Sequence, residues 1–282
     1  LGVDPAENIA NIANKEGIKT IADFWNYEIS EDILRNNGSA KLIFARNVIP
    51  HVSELHEVIR GIENILDING TGIIEFHYAG KILNELHYDS IYHEHLCYFS
   101  IKSISYLLNK YSLFPYDIFK SPISGGSLVI FFSKTKKNKT NELLEFEQVE
   151  NDNKVNSLES WKFFAKKTKK HKSETIKLLK SLEGKKIIGF GSSARSQTYI
   201  NYCGINNNQI SLIIDNNIFK QNMFTPGSSI PIVSMQKGLI TNPDYIFIFA
   251  WNFKEEIINE CRNKGFKGKF IIPFPDMPKI MD

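Results

Sequence analysis

The stretch 185–215 constrains the fold more than any other. Residues 186–189 form a short apolar run that reads as a strand. It leads into Gly189-Phe190-Gly191-Ser192-Ser193-Ala194, which fits G-x-G-x-x-A, and a helical segment runs through Ile200. A second apolar strand, 211–214, ends at Asp215. Strand, glycine-rich turn, helix, strand and terminal acid is the order in which an α/β fold presents a dinucleotide site, with the acid placed for a ribose. A tight turn that binds nothing has the same local pattern, and both readings stand. Further strands are expected at 231–233, 245–251 and 270–273.

The first half repeats the rhythm without repeating the sequence. A helix is expected over 6–15, with Ile9, Ile12 and Ala13 on one face and Gly17 as its stop. A short strand at 18–21, a helix carrying Ile29, Ile33 and Leu34, and a strand at 41–45 follow. The segment 54–66 places Leu55, Val58, Ile59, Ile62 and Leu66 on one helical face. Asn69-Gly70 is expected to turn the chain into a strand over 72–78. Alternating strands and helices predict a parallel sheet. Leu1-Gly2-Val3-Asp4-Pro5 reads as the last residues of a strand, as if the domain began earlier. Asp4 is then either a ribose-holding acid at a strand end or a helix N-cap.

Tyr92-His93-Glu94-His95 concentrates two imidazoles, a carboxylate and a phenol in adjacent positions. Imidazole titrates near ~6.5, so such a cluster can move protons near neutral pH. A structural cluster and a metal pair are the competing readings. Histidines two apart share a face only in a strand, and helical zinc pairs stand at i, i+4, which this run lacks. His51, in the loop after the strand 41–45, is a second candidate, as a catalytic group or a cap to the next helix. Pro122 to Ser127 carries Gly125-Gly126 ahead of an apolar strand at 128–132. The pair permits positive φ or a close backbone approach, and on local grounds an ordinary tight turn explains it better. The lysines at 134–139 read as a solvated hinge. Helices are expected over 142–149 and 158–182.

A net charge of +3 and scattered lysines do not suggest nucleic-acid binding. No apolar run reaches the ~18–20 residues that span a bilayer. The three cysteines, Cys97, Cys203 and Cys261, are far apart, which fits a reducing, cytoplasmic setting.

The whole chain resembles the S-adenosylmethionine-dependent sugar C-methyltransferases that act on 4-keto deoxysugar nucleotides. The resemblance rests on ordered blocks: Asn47-Val48-Ile49-Pro50-His51-Val52, Tyr92-His93-Glu94-His95-Leu96-Cys97-Tyr98-Phe99-Ser100, Gly125-Gly126-Ser127-Leu128, Gly189-Phe190-Gly191, Asn201-Tyr202-Cys203-Gly204-Ile205, and Thr225-Pro226-Gly227 through Ile230-Pro231-Ile232. The chain departs from that family at Ser124, Val129 and Arg195-Ser196, where His, Arg and Lys-Gly are common.

The resemblance implies an α/β fold of two Rossmann-like parallel-sheet domains joined by helices, the first incomplete at its N-terminus. The zinc domain and the first strand with its glycine-rich loop would be missing. It implies a partial methyltransferase domain over 1–135, a helical linker over 136–182 and a C-terminal Rossmann-like domain over 183–282. It implies S-adenosylmethionine as cofactor, a nucleotide-linked keto-deoxysugar as substrate, and no resident metal in this part. Partner expectations exclude nucleic acid and membrane and include a missing N-terminal segment or partner chain. The resemblance makes His95 the general base that removes the C3 proton. Glu94 would hold its tautomer or contact the sugar, and Tyr92 and His51 would donate to the enolate oxygen. Asp4, Arg46 and Asn47 would hold the cofactor. His93, Gly125, Gly126, Ser127, Gly189, Gly191, Ser192 and Arg195 would contact substrate, Arg195 at a pyrophosphate. A non-catalytic nucleotide-sugar-binding fragment, half of a split enzyme, and an NAD-dependent oxidoreductase are the alternatives.

Overall fold

In the computed structural model, which describes residues 1–122 and 125–282, the apolar patterning resolves into two units, residues 1–79 with 96–156 and residues 80–95 with 157–282.

The first unit begins with β1 (Gly2–Val3), α1 (Glu7–Lys15) and β2 (Thr20–Ile21), the two strands pairing in parallel. Next come α2 (Tyr27–Asn37), β3 (Ala40–Arg46), a 3₁₀ turn at Ile49–His51, α3 (Leu55–Ile65) and β4 (Leu66–His77). From β4 the chain enters α4 (Ala79–Asn84). It returns to this unit as α5 (Ile101–Lys110), β5 (Phe114–Ser121), β6 (Ser127–Ser133) and α6 (Asn141–Asp152). The sheet order is β3-β4-β6-β5. Only β3 and β4 run parallel; β6 is antiparallel to both β4 and β5. The expected α/β class holds, but this sheet is mixed, because β5 and β6 pair antiparallel with each other.

Asn69-Gly70 makes no turn. Both residues lie inside the continuous β4, where its pairing with β3 slips: Ala40 faces Leu66 but Leu42 faces Thr71. A Cβ at Gly70 would lie 2.9 Å from the Ala40 carbonyl oxygen, so glycine permits the close approach. Against the sheet pack Val58, Ile59 and Ile62 of α3 and Ile104, Leu107 and Leu108 of α5. Helix starts follow local chemistry. Asn26 Oδ1 accepts from the Ile29 N–H, and Ser100 and Ser103 form a reciprocal capping box. The lysine stretch is solvated as expected, exposed over 135–139, with surface contacts from Lys134 to Glu63, Lys139 to Glu147 and Lys137 to the Tyr116 ring.

The second unit adds α7 (Leu158–Ser181), β7 (Ile187–Phe190), α8 (Ala194–Cys203), β8 (Ile213–Ile214), β9 (Ile232–Val233), α9 (Met235–Leu239), β10 (Tyr245–Ile248), α10 (Lys254–Asn263), β11 (Lys269–Ile272) and β12 (Lys279–Met281). The helical stretch 136–182 is thus shared, α6 belonging to the first unit and α7 to the second. The sheet order β9-β8-β7-β10-β11-β12 is the doubly wound order 3-2-1-4-5-6, parallel but for the antiparallel edge β12. Its switch point lies between β7 and β10. Ile188, Ile246, Ile248 and Phe270 fill its core with Ile257 and Cys261 of α10. Ser193 and Ser196 box the start of α8, and Gly204 ends it at φ 71°.

Candidate active site

The residues 92–95 form a turn, closed by the His95 N–H donating to the Tyr92 carbonyl at 3.0 Å. The turn separates the two histidines. The His93 side chain is 90% exposed, while His95 is half-buried. Among the described residues no group of three or more His, Cys, Asp or Glu could hold a metal.

His95 is oriented at both ring nitrogens. Nδ1 lies 2.8 Å from the Ser90 carbonyl oxygen and Nε2 lies 3.2 Å from the Tyr92 hydroxyl. A carbonyl only accepts, so Nδ1 carries the proton in the neutral ring and Nε2 carries the lone pair. The Tyr92 hydroxyl then donates to Nε2. Burial raises the Tyr92 pKa, and the Glu94 charge raises it further, so the phenol stays a proton donor. The Ser90 carbonyl fixes the His95 tautomer; the Glu94 side chain is 58% exposed, which leaves its alternative expected role, contact with the sugar.

Ser90 ends a 3₁₀ turn, Tyr88–Ser90, whose three residues are buried. The Tyr88 hydroxyl stands 3.0 Å from His171 Nδ1, and His171 Nε2–H donates to the Pro273 carbonyl at 2.7 Å. Asp89, with its side chain 2% exposed, receives Arg195 Nε at 3.0 Å and Trp251 Nε1 at 2.9 Å. Sequence reasoning passed over Asp89, Ser90 and Trp251. A carboxylate inside an aromatic run and a tryptophan after the fourth strand of a doubly wound sheet were the available signals.

The glycine-rich turn of the second unit satisfies itself. Gly191 has φ 94°, and a Cβ there would lie 2.6 Å from Ala250 Cβ; one at Gly189 would lie 2.7 Å from Ile213 Cγ1. Both glycines therefore serve packing at the switch point. The Ser192 N–H donates to Asp215 Oδ2 at 2.8 Å, Gln197 Nε2 donates to Ser192 Oγ, and Lys220 Nζ reaches the Ser192 carbonyl. Asp215, the position of a ribose acid in a dinucleotide site, is spent on the turn itself.

In the first unit, Asp4 follows β1 and its Oδ1 accepts from the Ala6 N–H at 2.8 Å. This is an Asx turn ahead of α1; the N-cap itself is Ala6, without a side-chain cap. Among the described residues nothing donates to Oδ2, so the half-buried carboxylate keeps an acceptor fit for a ribose diol. Arg46 and Asn47 stand at the carboxyl end of β3, Asn47 with φ 52°. Arg46 Nε donates to Glu75 Oε2 at 2.8 Å, and Ser121 donates to Glu75 Oε1 at 2.8 Å. Glu75 is only 3% exposed; a lone acid in the apolar strand 72–78 was the missed signal. His51 ends the 3₁₀ turn after β3 and is exposed. The Pro50 carbonyl of that turn accepts from Leu96 and Cys97 N–H at 2.8 and 3.1 Å. Gly125 and Gly126 adopt φ 81° and 129°, and Ser127 is buried where β6 pairs with β4 and β5. Ser124 lies outside the described residues.

Tyr92, His93, Glu94, His95, Gly189, Gly191, Ser192 and Arg195 thus belong to the second unit. Asp4, Arg46, Asn47, His51, Gly125, Gly126 and Ser127 belong to the first.

Residues 122–275 match the family model described as the C-methyltransferase C-terminal domain. The chain belongs to the C-methyltransferase family. The C-methyltransferase NovU of Streptomyces niveus is 30% identical over 286 residues, an alignment covering 100% of this chain and 68% of that protein. A solved O-methyltransferase family protein from Burkholderia thailandensis superposes over 48% of this chain and 43% of that one, with TM-score 0.35 and 12% identity. As a C-methyltransferase the chain is a transferase that requires a methyl donor and a carbon acceptor. Among the described residues no helix is long and apolar enough to cross a membrane.

Proposed function

We propose that this C-methyltransferase moves a methyl group from S-adenosylmethionine to C3 of a nucleotide-linked 4-keto deoxysugar, with His95 as the general base. The observation that carries the reading is the His95 tautomer. A proton on Nδ1, held by the Ser90 carbonyl, leaves the Nε2 lone pair as the only basic position of the ring. A ketone at C4 acidifies the neighbouring C3 proton, and Nε2 takes that proton as the enolate forms. General base catalysis of this kind contributes ~10²–10⁴ in rate.

Tyr92 supplies the complementary hydrogen-bond donor. Its phenol is kept protonated by burial and stands 3.2 Å from Nε2. As Nε2 gains the proton it no longer accepts from Tyr92, and the hydroxyl turns its hydrogen bond to the enolate oxygen. His51 is assigned a second donor role toward that oxygen. Glu94 and His93, both exposed, are assigned to the sugar, together with Gly125, Gly126 and Ser127. Bound S-adenosylmethionine supplies the electrophilic methyl carbon. Asp4 would hold its ribose through Oδ2, and Arg46 and Asn47, at the carboxyl end of β3, are assigned to the same cofactor. The glycine-rich turn at Gly189, Gly191 and Ser192 is assigned to the nucleotide half of the substrate by its surface only, since its N–H at Ser192 is already used.

An NAD-dependent oxidoreductase finds no support beside this, because Asp215 and Ser192 satisfy each other and the family is one of methyl transfer. The test is methylation of a thymidine-diphosphate 4-keto deoxysugar, followed by mass spectrometry. The wild-type product gains one methylene at C3, and His95→Gln gives none. Full methylation by His95→Gln would overturn the reading.

A further inference from the structure

We propose that Asp89 is a positioning residue for His95, and that Arg195 and Trp251 are the clamp that makes it one. The inference rests on the His95 reading above and adds a role for the doubly wound sheet: it holds the base rather than a dinucleotide.

Asp89 carries a buried charge that needs an explanation. The Asp89 side chain is 2% exposed, and a buried carboxylate is costly unless it is paired and hydrogen-bonded. It is fully engaged. Arg195 Nε lies 3.0 Å from Oδ2, and Nη2 lies 3.1 Å from Oδ1 and 2.9 Å from Oδ2. Trp251 Nε1 donates to Oδ2 at 2.9 Å, and the Arg195 guanidinium carbon sits 5.0 Å from the Trp251 ring centre. Bidentate pairing fixes a carboxylate in direction as well as in place.

The two donors come from the two sides of the switch point. Arg195 lies in the first turn of α8, after β7, and Trp251 opens the 3₁₀ turn after β10. This crevice at the carboxyl ends of β7 and β10 is where an open α/β sheet binds a ligand. Here a side chain of the same unit occupies that role. Asp89 supplies the negative charge that a bound pyrophosphate would bring, and Arg195 answers it.

What this fixes is the backbone of the next residue. Asp89 and Ser90 are consecutive in one buried 3₁₀ turn, and the Ser90 carbonyl is the acceptor on His95 Nδ1. The preceding residue is fixed as well: Tyr88 is bonded to His171 and stacked on Tyr199 at 5.8 Å between ring centres. A turn held on both sides presents one carbonyl direction, and that direction sets which nitrogen of His95 is protonated. Displacement of a catalytic group by about 1 Å costs on the order of 10²-fold in rate.

The test reads the tautomer directly. The full chain is labelled with ¹⁵N-histidine, and His95 is assigned by its loss in His95→Gln. In wild type, His95 shows a protonated Nδ1 and an unprotonated Nε2 at neutral pH. Asp89→Asn, which keeps the shape and removes the charge, should give a mixture of tautomers and a kcat lower by about 10²-fold, with KM for the nucleotide sugar within about threefold. Trp251→Phe removes one donor and leaves the ion pair, so it serves if Asp89→Asn does not fold; it should shift the tautomer ratio in the same direction. Arg195→Lys should recover part of the kcat that Arg195→Gln loses. A pure Nδ1–H tautomer in folded Asp89→Asn or Trp251→Phe would overturn the clamp. So would an Arg195→Gln protein with raised KM and unchanged kcat and tautomer, which would assign the guanidinium to the substrate. Full activity in His95→Gln would sink the catalytic reading, and the tautomer spectrum would still decide the clamp.

Discussion

Tyr88→Phe tests the buried network beneath the catalytic turn. The substitution keeps the ring and removes one oxygen. That oxygen lies 3.0 Å from His171 Nδ1, and His171 is 0% exposed. The Nε2–H of His171 is committed to the Pro273 carbonyl, so Nδ1 is the acceptor and Tyr88 its donor. Phenylalanine leaves a buried acceptor unsatisfied, which costs about 1–3 kcal/mol. Over a unit of this size that corresponds to a fall of about 2–12 °C in Tm. The loss should also depend on pH. Burial pushes the His171 pKa down from its ordinary value. Above ~6.5, where the unfolded chain's imidazole is neutral, the contribution is fully present. Below that, the unfolded chain takes up a proton that the folded protein resists, and stability falls. A donated O–H favours neutral imidazole, so Tyr88→Phe weakens the resistance. The gap between wild type and Tyr88→Phe should therefore be widest above pH ~6.5 and narrow as the pH falls. Urea unfolding at several pH values, followed by tryptophan fluorescence, gives both quantities. Equal stability at pH 8, or a gap that does not change with pH, would refute the reasoning.

Further outcomes follow from other buried groups. Glu150, 2% exposed, accepts from the Ile101 and Lys102 N–H groups at the start of α5, at 2.6 and 3.0 Å. Glu150→Gln should cost the first unit about 1.5–3 kcal/mol in urea unfolding, because a charge-assisted bond is lost and an amide N–H₂ faces an N–H. Gly191→Ala meets both φ 94° and a 2.6 Å contact with Ala250 Cβ, and should destabilise the second unit by about 1–3 kcal/mol in thermal unfolding. NAD should leave Tm unchanged in a thermal-shift assay, since a ligand that bound the folded unit would raise it; a dose-dependent rise would reopen the self-satisfied turn at Ser192 and Asp215.

The doubly wound unit was legible because its signals are local. A strand, G-x-G-x-x-A, a following helix and a second strand ending at Asp215 all follow from propensity and turn chemistry. What that turn does was not legible. The bond from Ser192 N–H to Asp215 spans the turn and the end of β8, and the same residues would read identically if they held a ribose. The mixed sheet of the first unit was missed for a related reason. Strand direction depends on whether β4 pairs with β3 alone or also with β6, whose apolar pattern suits either direction. Asn69-Gly70 looked like a turn, yet the chain continues as a strand because Gly70 tolerates the Ala40 carbonyl beside it. His95 and Tyr92 were visible as a cluster of chemistry. Their orienting group was not, because a backbone carbonyl leaves no mark in a sequence. Asp89 and Trp251 meet across 162 positions, a pairing that only the folded sheet brings about.

The most direct test of the central claim needs no methyl donor. The protein is incubated in ²H₂O with a thymidine-diphosphate 4-keto deoxysugar, and deuterium at C3 is followed by NMR. If His95 forms the enolate, wild type exchanges the C3 proton and His95→Gln does not, while His56→Gln, a change at an exposed α3 histidine bonded to the Tyr111 hydroxyl, exchanges at the wild-type rate. Exchange by His95→Gln at the wild-type rate, or none by wild type, would contradict the account.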